Sequence, residues 1–385
     1  MWKEIYTESK GLIGPYLVRD LKTFPLSFEH ISSALNGVKW DQSPSKMNYF
    51  RGYVGGKEDY SLAERFLEYD LAPESIEKSI FNAFAGETPQ LGENAGLIVN
   101  GSLQWSEILQ ETAGIHAEEI ALLYPNQQIT FDVILFIGAY GSTPFGVHID
   151  DSSHRTILFN LGPGEKGIAL WQNEDILKQF GKVRNILNPA SIHADPEKYF
   201  FKPGEAFVLP SERYHVGLNS TLSTAVAIVV DIVSAGKAVA REAQNIGSFF
   251  DVMSEMKKCD VRHLSFEDLI WLNSLRNASN HYLRYSPAKK FFDMSAITER
   301  TTLRPSKSAG VKIAPLNHTT LVYSRGYHHV YEQVLEESIF DHFLQKEIFD
   351  VQNFLSLLSG GRETLKQKLL LLKFFIDTGT FEVLQ

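Results

Sequence analysis

Cysteine is almost missing from this chain, with one residue, Cys259, in 385. A single thiol excludes an internal disulfide framework and fits a reducing compartment. No apolar run approaches 18 residues, and Met1 to Tyr6 opens no basic segment followed by an apolar stretch. A cytoplasmic protein with no membrane span is therefore expected. Internal repeats and low-complexity tracts are absent as well. Basic residues are scarce in the first part: residues 1–235 carry 18 Lys+Arg against 29 Asp+Glu, a balance of −11, whereas residues 236–385 carry 19 against 17, a balance of +2. Phosphate binding needs clustered cations, so direct nucleic-acid binding is not expected, while a basic or neutral peptide remains compatible.

What is present points to an ordered globular protein, with 44% hydrophobic residues and 26 Phe. The length allows one large or two modest domains. The charge change and the shift from an apolar strand to a helical pattern place a boundary near Ser234-Ala235-Gly236, giving domains 1–235 and 236–385. In the first, helices are expected after Ser27, over Leu62 to Leu67, over Pro73 to Phe81 with proline in the first turn, and over Trp105 to Glu119. In the second, helices are expected over Val239 to Met256 and Phe266 to Arg276. Extended segments are expected near Thr301, Gly310 and Thr319, then three amphipathic helices and a closing strand over Thr380 to Leu384.

Between the helical stretches lies a region of short strands and turns. Ile129 to Gly138 is apolar and strand-like and runs into the turn signature Gly141-Ser142-Thr143-Pro144. Val147 to Asp150 is again extended, Ile157 to Leu161 and Lys166 to Trp171 flank a Gly-Pro-Gly turn, and Ala225 to Val230 is fully apolar. Short strands separated by turns indicate an antiparallel barrel or jelly roll. His148 and Asp150 stand at i and i+2 of an extended segment, so they share a face and can converge on one ion. His215 follows a Pro210-Ser211 turn. Two imidazoles and a carboxylate are the facial set that holds non-haem Fe(II) with three positions open. Asp151 would face away, His154 shares the face only if the strand is unbroken, and His193 is the fallback third ligand. His116, His318, His328 and His329 carry no partnering pattern.

From about Ile129 to Asp231 the order of pieces resembles the JmjC and cupin-like Fe(II)- and 2-oxoglutarate-dependent oxygenases. Thr-Pro precedes His-x-Asp, a lysine stands on the next strand pair, Gly204-Glu205 precedes an apolar strand, and His215 with Leu218-Asn219 precedes the closing one. The resemblance implies an α+β fold: a double-stranded β-helix core, metal-binding over about 129–235, with flanking N-terminal helices. Residues 236–385 resemble the winged-helix-like C-terminal module of ribosomal-protein oxygenases and, more distantly, leader-peptide recognition domains, which implies a mostly helical domain for substrate recruitment; a helical packing or homodimerisation domain is the other reading. The resemblance further implies iron on His148, Asp150 and His215. It also implies 2-oxoglutarate with its distal carboxylate on Lys166 or the rival cation Arg155, a hydroxyl from Thr143 or Tyr140, and O2 as co-substrate. Hydroxylation of a peptide or protein side chain follows, or of a free amino acid or small metabolite. A metal-binding sensor without turnover and a zinc-dependent hydrolase or isomerase remain as readings from other classes.

Overall fold

The structure, a computed structural model, describes residues 1–21, 25–41, 49–67, 95–240, 242, 265–286, 292–307, 309–316, 319–358 and 365–384. The helix expected over Pro73 to Phe81, most of that over Val239 to Met256, Cys259 and His318 lie outside these residues. Two compact units emerge: Met1–Leu123 with Phe131–Ile232, and Tyr124–Thr130 with Val233–Gln385.

The first unit opens with α1 (Trp2–Glu8), β1 (Tyr16–Val18), α2 (Phe28–Trp40), β2 (Phe50–Val54), β3 (Lys57–Glu58), α3 (Tyr60–Phe66), β4 (Ala95–Val99) and α4 (Glu107–Ala121). Capping starts the longer helices where the sequence suggests. Ser27 and His30 form a reciprocal capping box on α2, and Ser106 accepts from Leu109 N at the head of α4.

The barrel strands follow: β5 (Gln128–Ala139), β6 (Gly141–Ser142), β7 (Val147–His148), β8 (His154–Pro163), β9 (Lys166–Leu170), α5 (Asn173–Phe180), β10 (Asn185–Ile186), β11 (Glu197–Phe201), β12 (Ala206–Leu209), β13 (His215–Asn219) and β14 (Ser223–Val233). One sheet has the order β1-β12-β8-β14-β5-β4-β2-β3, the other β10-β7-β13-β9-β11 with β6 beside β13. From β5 onward the chain passes repeatedly from one sheet to the other, and central β14 is buried along nearly its whole length. This is a jelly roll with helices around it.

Side-chain parity separates inside from outside. Leu158, Phe207, Leu209, Ala227 and Val229 of the larger sheet pack with Ile168, Leu170 and Phe201 of the smaller, forming the interior between the sheets. The alternate residues Val147, Ala169, Tyr214 and Val216 pack outward with Trp171, Ile176 of α5 and Ile186.

The second unit includes the helices α6 (Phe266–Ser279), α7 (Glu337–Leu344), α8 (Val351–Leu357) and α9 (Leu365–Asp377). With them are six strands: β15 (Thr302–Pro305), β16 (Val311–Leu316), β17 (Thr319–Ser324), β18 (Tyr327–Tyr331), β19 (Phe349–Asp350) and β20 (Phe381–Leu384). The closing strand pairs with β15, giving the order β19-β15-β20, while β16-β17-β18 is a meander. Part of the phenylalanine excess is spent here, since Phe340, Phe343, Phe349, Phe354, Phe374, Phe375 and Phe381 share one core. No helix among the described residues is long and apolar enough to cross a membrane.

Candidate metal centre

Strand pairing aims the two histidines. His148 pairs with His215, and His215 also pairs with Leu170, a residue of the interior. Directly opposed residues of an antiparallel ladder project on the same face, so both imidazoles enter the barrel. The chain leaves the sheet at Ile149, so Asp150 is delivered by the start of a turn and not by a continuing strand. Ser153 N bonds Asp151 Oδ1 at 3.0 Å and His154 N bonds Asp151 O at 2.9 Å, which bends the chain there. Convergence holds nonetheless. Asp150 places Oδ1 3.8 Å from His148 Nε2 and Oδ2 3.8 Å from His215 Nε2, and one donor atom of each residue lies within 4.8 Å of the others. Among the described residues no other trio of His, Cys, Asp or Glu is so arranged.

The protonation states suit a metal. His148 Nδ1 lies 3.0 Å from Gly146 O and His215 Nδ1 lies 2.9 Å from Arg213 O. A carbonyl only accepts, so each Nδ1 carries the proton and each Nε2 keeps its lone pair for an ion. Burial, then the neighbouring His215, pulls His148 down to about 4, so it is neutral at pH 7. Two imidazole nitrogens and a carboxylate, all directed to one point, fit the donor set of Fe(II) with open positions.

Two backbone features support these ligands. Gly146 has φ +75, and a Cβ there would stand 2.3 Å from Ile186 O, so only glycine lets β7 approach β10. Gly146→Ala is expected to introduce about 1–3 kcal/mol of strain, read as a lower melting temperature together with weaker Mn(II) binding, because His148 follows two residues later. The corner before His215 is clasped by Arg213, whose Nε donates to Trp171 O at 3.2 Å and whose Nη2 donates to Glu197 Oε1 at 2.8 Å. Gln172 and Tyr199 also donate to Glu197. Sequence reasoning missed this clasp, since its members stand up to 42 residues apart.

Lys166 shares the inward parity of Ile168 and Leu170 and is 2% exposed. Its Nζ donates to Tyr140 OH at 2.8 Å and lies 4.9 Å from the Tyr140 ring and 5.7 Å from that of Phe136. No carboxylate among the described residues pairs with it, and burial pulls its ammonium down to about 7. Thr143 lies close by: Gly217 N donates to its Oγ1 at 2.7 Å, and that hydroxyl donates to Gly217 O at 3.1 Å. A Cβ on Gly217 would meet Thr143 Oγ1 at 2.7 Å and Lys166 Cε at 3.9 Å, so glycine leaves this corner open.

The remaining candidates sit elsewhere. Arg155 pairs with Val230, out of phase with the interior Leu158, and its Nη1 donates to Ser152 O at 2.6 Å and His154 O at 2.8 Å. Its cation is held by its own turn. His154 Nε2 lies 3.9 Å from Asp231 Oδ1. Asp151 is exposed and part of the turn, and the backbone N of exposed His193 donates to Gln179 Oε1. His116 accepts from Trp2 Nε1 at 3.2 Å, a packing role, and His328 and His329 lie on β18.

No family model matches the chain, and no curated protein matches its sequence. Solved structures of YcfD, a ribosomal oxygenase from Escherichia coli, are similar in fold. One in complex with cobalt and 2-oxoglutarate is 12% identical with a TM-score of 0.48, and the match covers 100% of this chain and 98% of that one. Another, with cobalt and succinic acid, is 13% identical with a TM-score of 0.47 over the same shares. At that distance the likeness decides no residue's role, and the side chains must.

Proposed function

We propose that the chain is an Fe(II)- and 2-oxoglutarate-dependent oxygenase of the JmjC-like type that hydroxylates a C–H bond of a peptide or protein side chain. One observation carries this: a buried ammonium without a carboxylate partner projects into the same interior as a His-Asp-His trio. The trio alone also suits a sensor or a hydrolytic zinc site. A buried cation with only a phenol for company is costly unless an anion joins it, so Lys166 calls for an acidic co-ligand beside the metal. A 2-oxo dicarboxylate answers both, as a chelating acid for the metal whose distal carboxylate Lys166 would bind.

In this reading His148, Asp150 and His215 hold Fe(II), which with 2-oxoglutarate and O2 supplies oxidative decarboxylation to succinate and CO2 and oxygen insertion into a nearby C–H bond. Lys166 binds the distal carboxylate as ammonium, and Tyr140 keeps that ammonium oriented. Burial pushes the Tyr140 phenol up, so it remains protonated and can donate once the lysine turns to its anion. Thr143 holds Gly217 in place and becomes a second donor only by giving up its bond to Gly217 O. The apolar interior around Ile168 and Leu170 limits water at the reacting centre. The second unit, with its own core and none of these ligands, suits recruitment of a polypeptide.

The test is direct. Under argon, Fe(II)-loaded protein should develop a visible charge-transfer band on addition of 2-oxoglutarate. In air it should release succinate, with a one-oxygen mass gain in a peptide pool. Iron binding without the band, and no succinate, would leave the sensor or hydrolase reading.

A further inference from the structure

Asp231 ends the apolar run Ala225 to Val230, and its side chain is only 9% exposed. Burying a carboxylate on such a strand is unfavourable without compensation. Its Oδ1 accepts from Ser153 Oγ at 2.7 Å and stands 3.9 Å from His154 Nε2. Among the described residues no Lys or Arg forms an ion pair with it.

Its direction follows from register. Asp231 pairs with His154, Val229 with Thr156 and Ala227 with Leu158, and Leu158, Ala227 and Val229 all belong to the interior. Asp231 and His154 therefore point inward from the larger sheet, while the metal trio points inward from the smaller. Both sets occupy one end of the barrel, because the chain passes from His148 to His154 through the short turn at Asp151 to Ser153. Three residues separate Asp150 from His154, a span of at most about 14 Å between their Cα atoms. Charge points the same way. Fe(II), Asp150, a dicarboxylate and the Lys166 ammonium would sum to zero, so that set leaves no positive charge over for Asp231; Asp132, buried on β5 with the parity of Ile134 and Phe136, accepts from Val133 N.

We infer that Asp231, oriented by Ser153 and bordered by His154, is a substrate subsite that holds a cationic side chain, ammonium or guanidinium, opposite the metal. The inference rests on the oxygenase reading for its purpose. Its binding test does not. Oδ1 is engaged by Ser153, so Oδ2 accepts from the substrate, and the aliphatic carbons behind the cation lie across the interior toward the trio. The sequence signal was an acidic residue closing an otherwise apolar strand.

Saturation-transfer NMR on the full chain, with and without Mn(II) and 2-oxoglutarate, tests it using N-acetyl-lysinamide and N-acetyl-argininamide beside their neutral counterparts N-acetyl-norleucinamide and N-acetyl-citrullinamide. The cations should bind about ten- to a hundred-fold tighter, the range of one charge-assisted hydrogen bond. Asp231→Asn should erase that preference and leave Mn(II) binding, followed by electron paramagnetic resonance, unchanged. Equal binding of cation and neutral counterpart to the wild type overturns the subsite without recourse to any variant, and so does a preference that survives Asp231→Asn. Failure of the oxygenase reading shows separately, as Mn(II) binding unaffected by His215→Ala. Cation preference that depends on Asp231 in that case still establishes the subsite.

Discussion

His148→Ala, Asp150→Ala and His215→Ala will each take 2-oxoglutarate turnover below detection while the chain stays folded. Each removes one of three protein ligands, and the trio contains no spare. The fold should tolerate the loss because the metal-free site is itself unfavourable: two imidazole rings stand 4.2 Å apart, and His148 is held far below its ordinary pKa. Removing either ring relieves that crowding as it opens a small void, so metal-free stability should change by no more than about 1–2 kcal/mol. The sharper readout is linkage. Mn(II) at a hundred times its Kd should stabilise the wild type by about 2.7 kcal/mol, and the resulting rise in melting temperature should vanish in all three variants. A metal-dependent rise that survives His215→Ala would remove His215 from the site and direct attention to His154 beside Asp231.

Much of the barrel was legible because burial leaves a periodic trace. The apolar run Ala225 to Val230 became the central strand β14, and the Gly-Pro-Gly turn separates β8 from β9 as its residues suggest. Lys166 was named from the family resemblance, and its inward face follows from its place two residues before Ile168 on β9. The trio was named for a reason only half right. His148 is set by a strand of two residues and Asp150 by a turn, so the i, i+2 rule named a converging pair from a strand that ends between them.

What stayed illegible depends on long-range pairing. The Thr143 hydroxyl is committed to Gly217, 74 residues away, and no local pattern announces that. Arg155 stood as the rival to Lys166 because distance in sequence says nothing of phase. The Asp151 to Ser153 turn sets where β8 begins, and that start puts His154 inside and Arg155 outside. Asp231 was not singled out in the sequence, and only its register with His154 places it in the interior.

Lys166→Met is expected to weaken 2-oxoglutarate binding and strengthen the empty protein at once. Losing a charge-assisted hydrogen bond of about 1.5–3 kcal/mol should raise the 2-oxoglutarate requirement by about ten- to a hundred-fold. Arg155→Met, outside the interior, should leave it nearly unchanged. The stability effect follows from the folded-state value near 7, well below that of an exposed lysine. Between pH 7 and about 10.4 the unfolded chain holds a proton that the folded chain has released, so wild-type stability without ligand rises with pH through that window. Below pH 7 both states are charged and the folded state bears the full burial penalty. The methionine variant escapes it, so its melting temperature should exceed that of the wild type most at pH 7 and below, by about 2–4 °C for each kcal/mol regained, with the gap closing toward pH 10. Ligand binding should show the mirror image. A dicarboxylate needs the ammonium, so wild-type affinity for 2-oxoglutarate, measured with Mn(II) in the site, should fall by about tenfold per pH unit above 7, while that of Lys166→Met should be flat over the same range. Equal 2-oxoglutarate affinity in wild type and Lys166→Met, or a larger loss in Arg155→Met, would move the carboxylate away from Lys166.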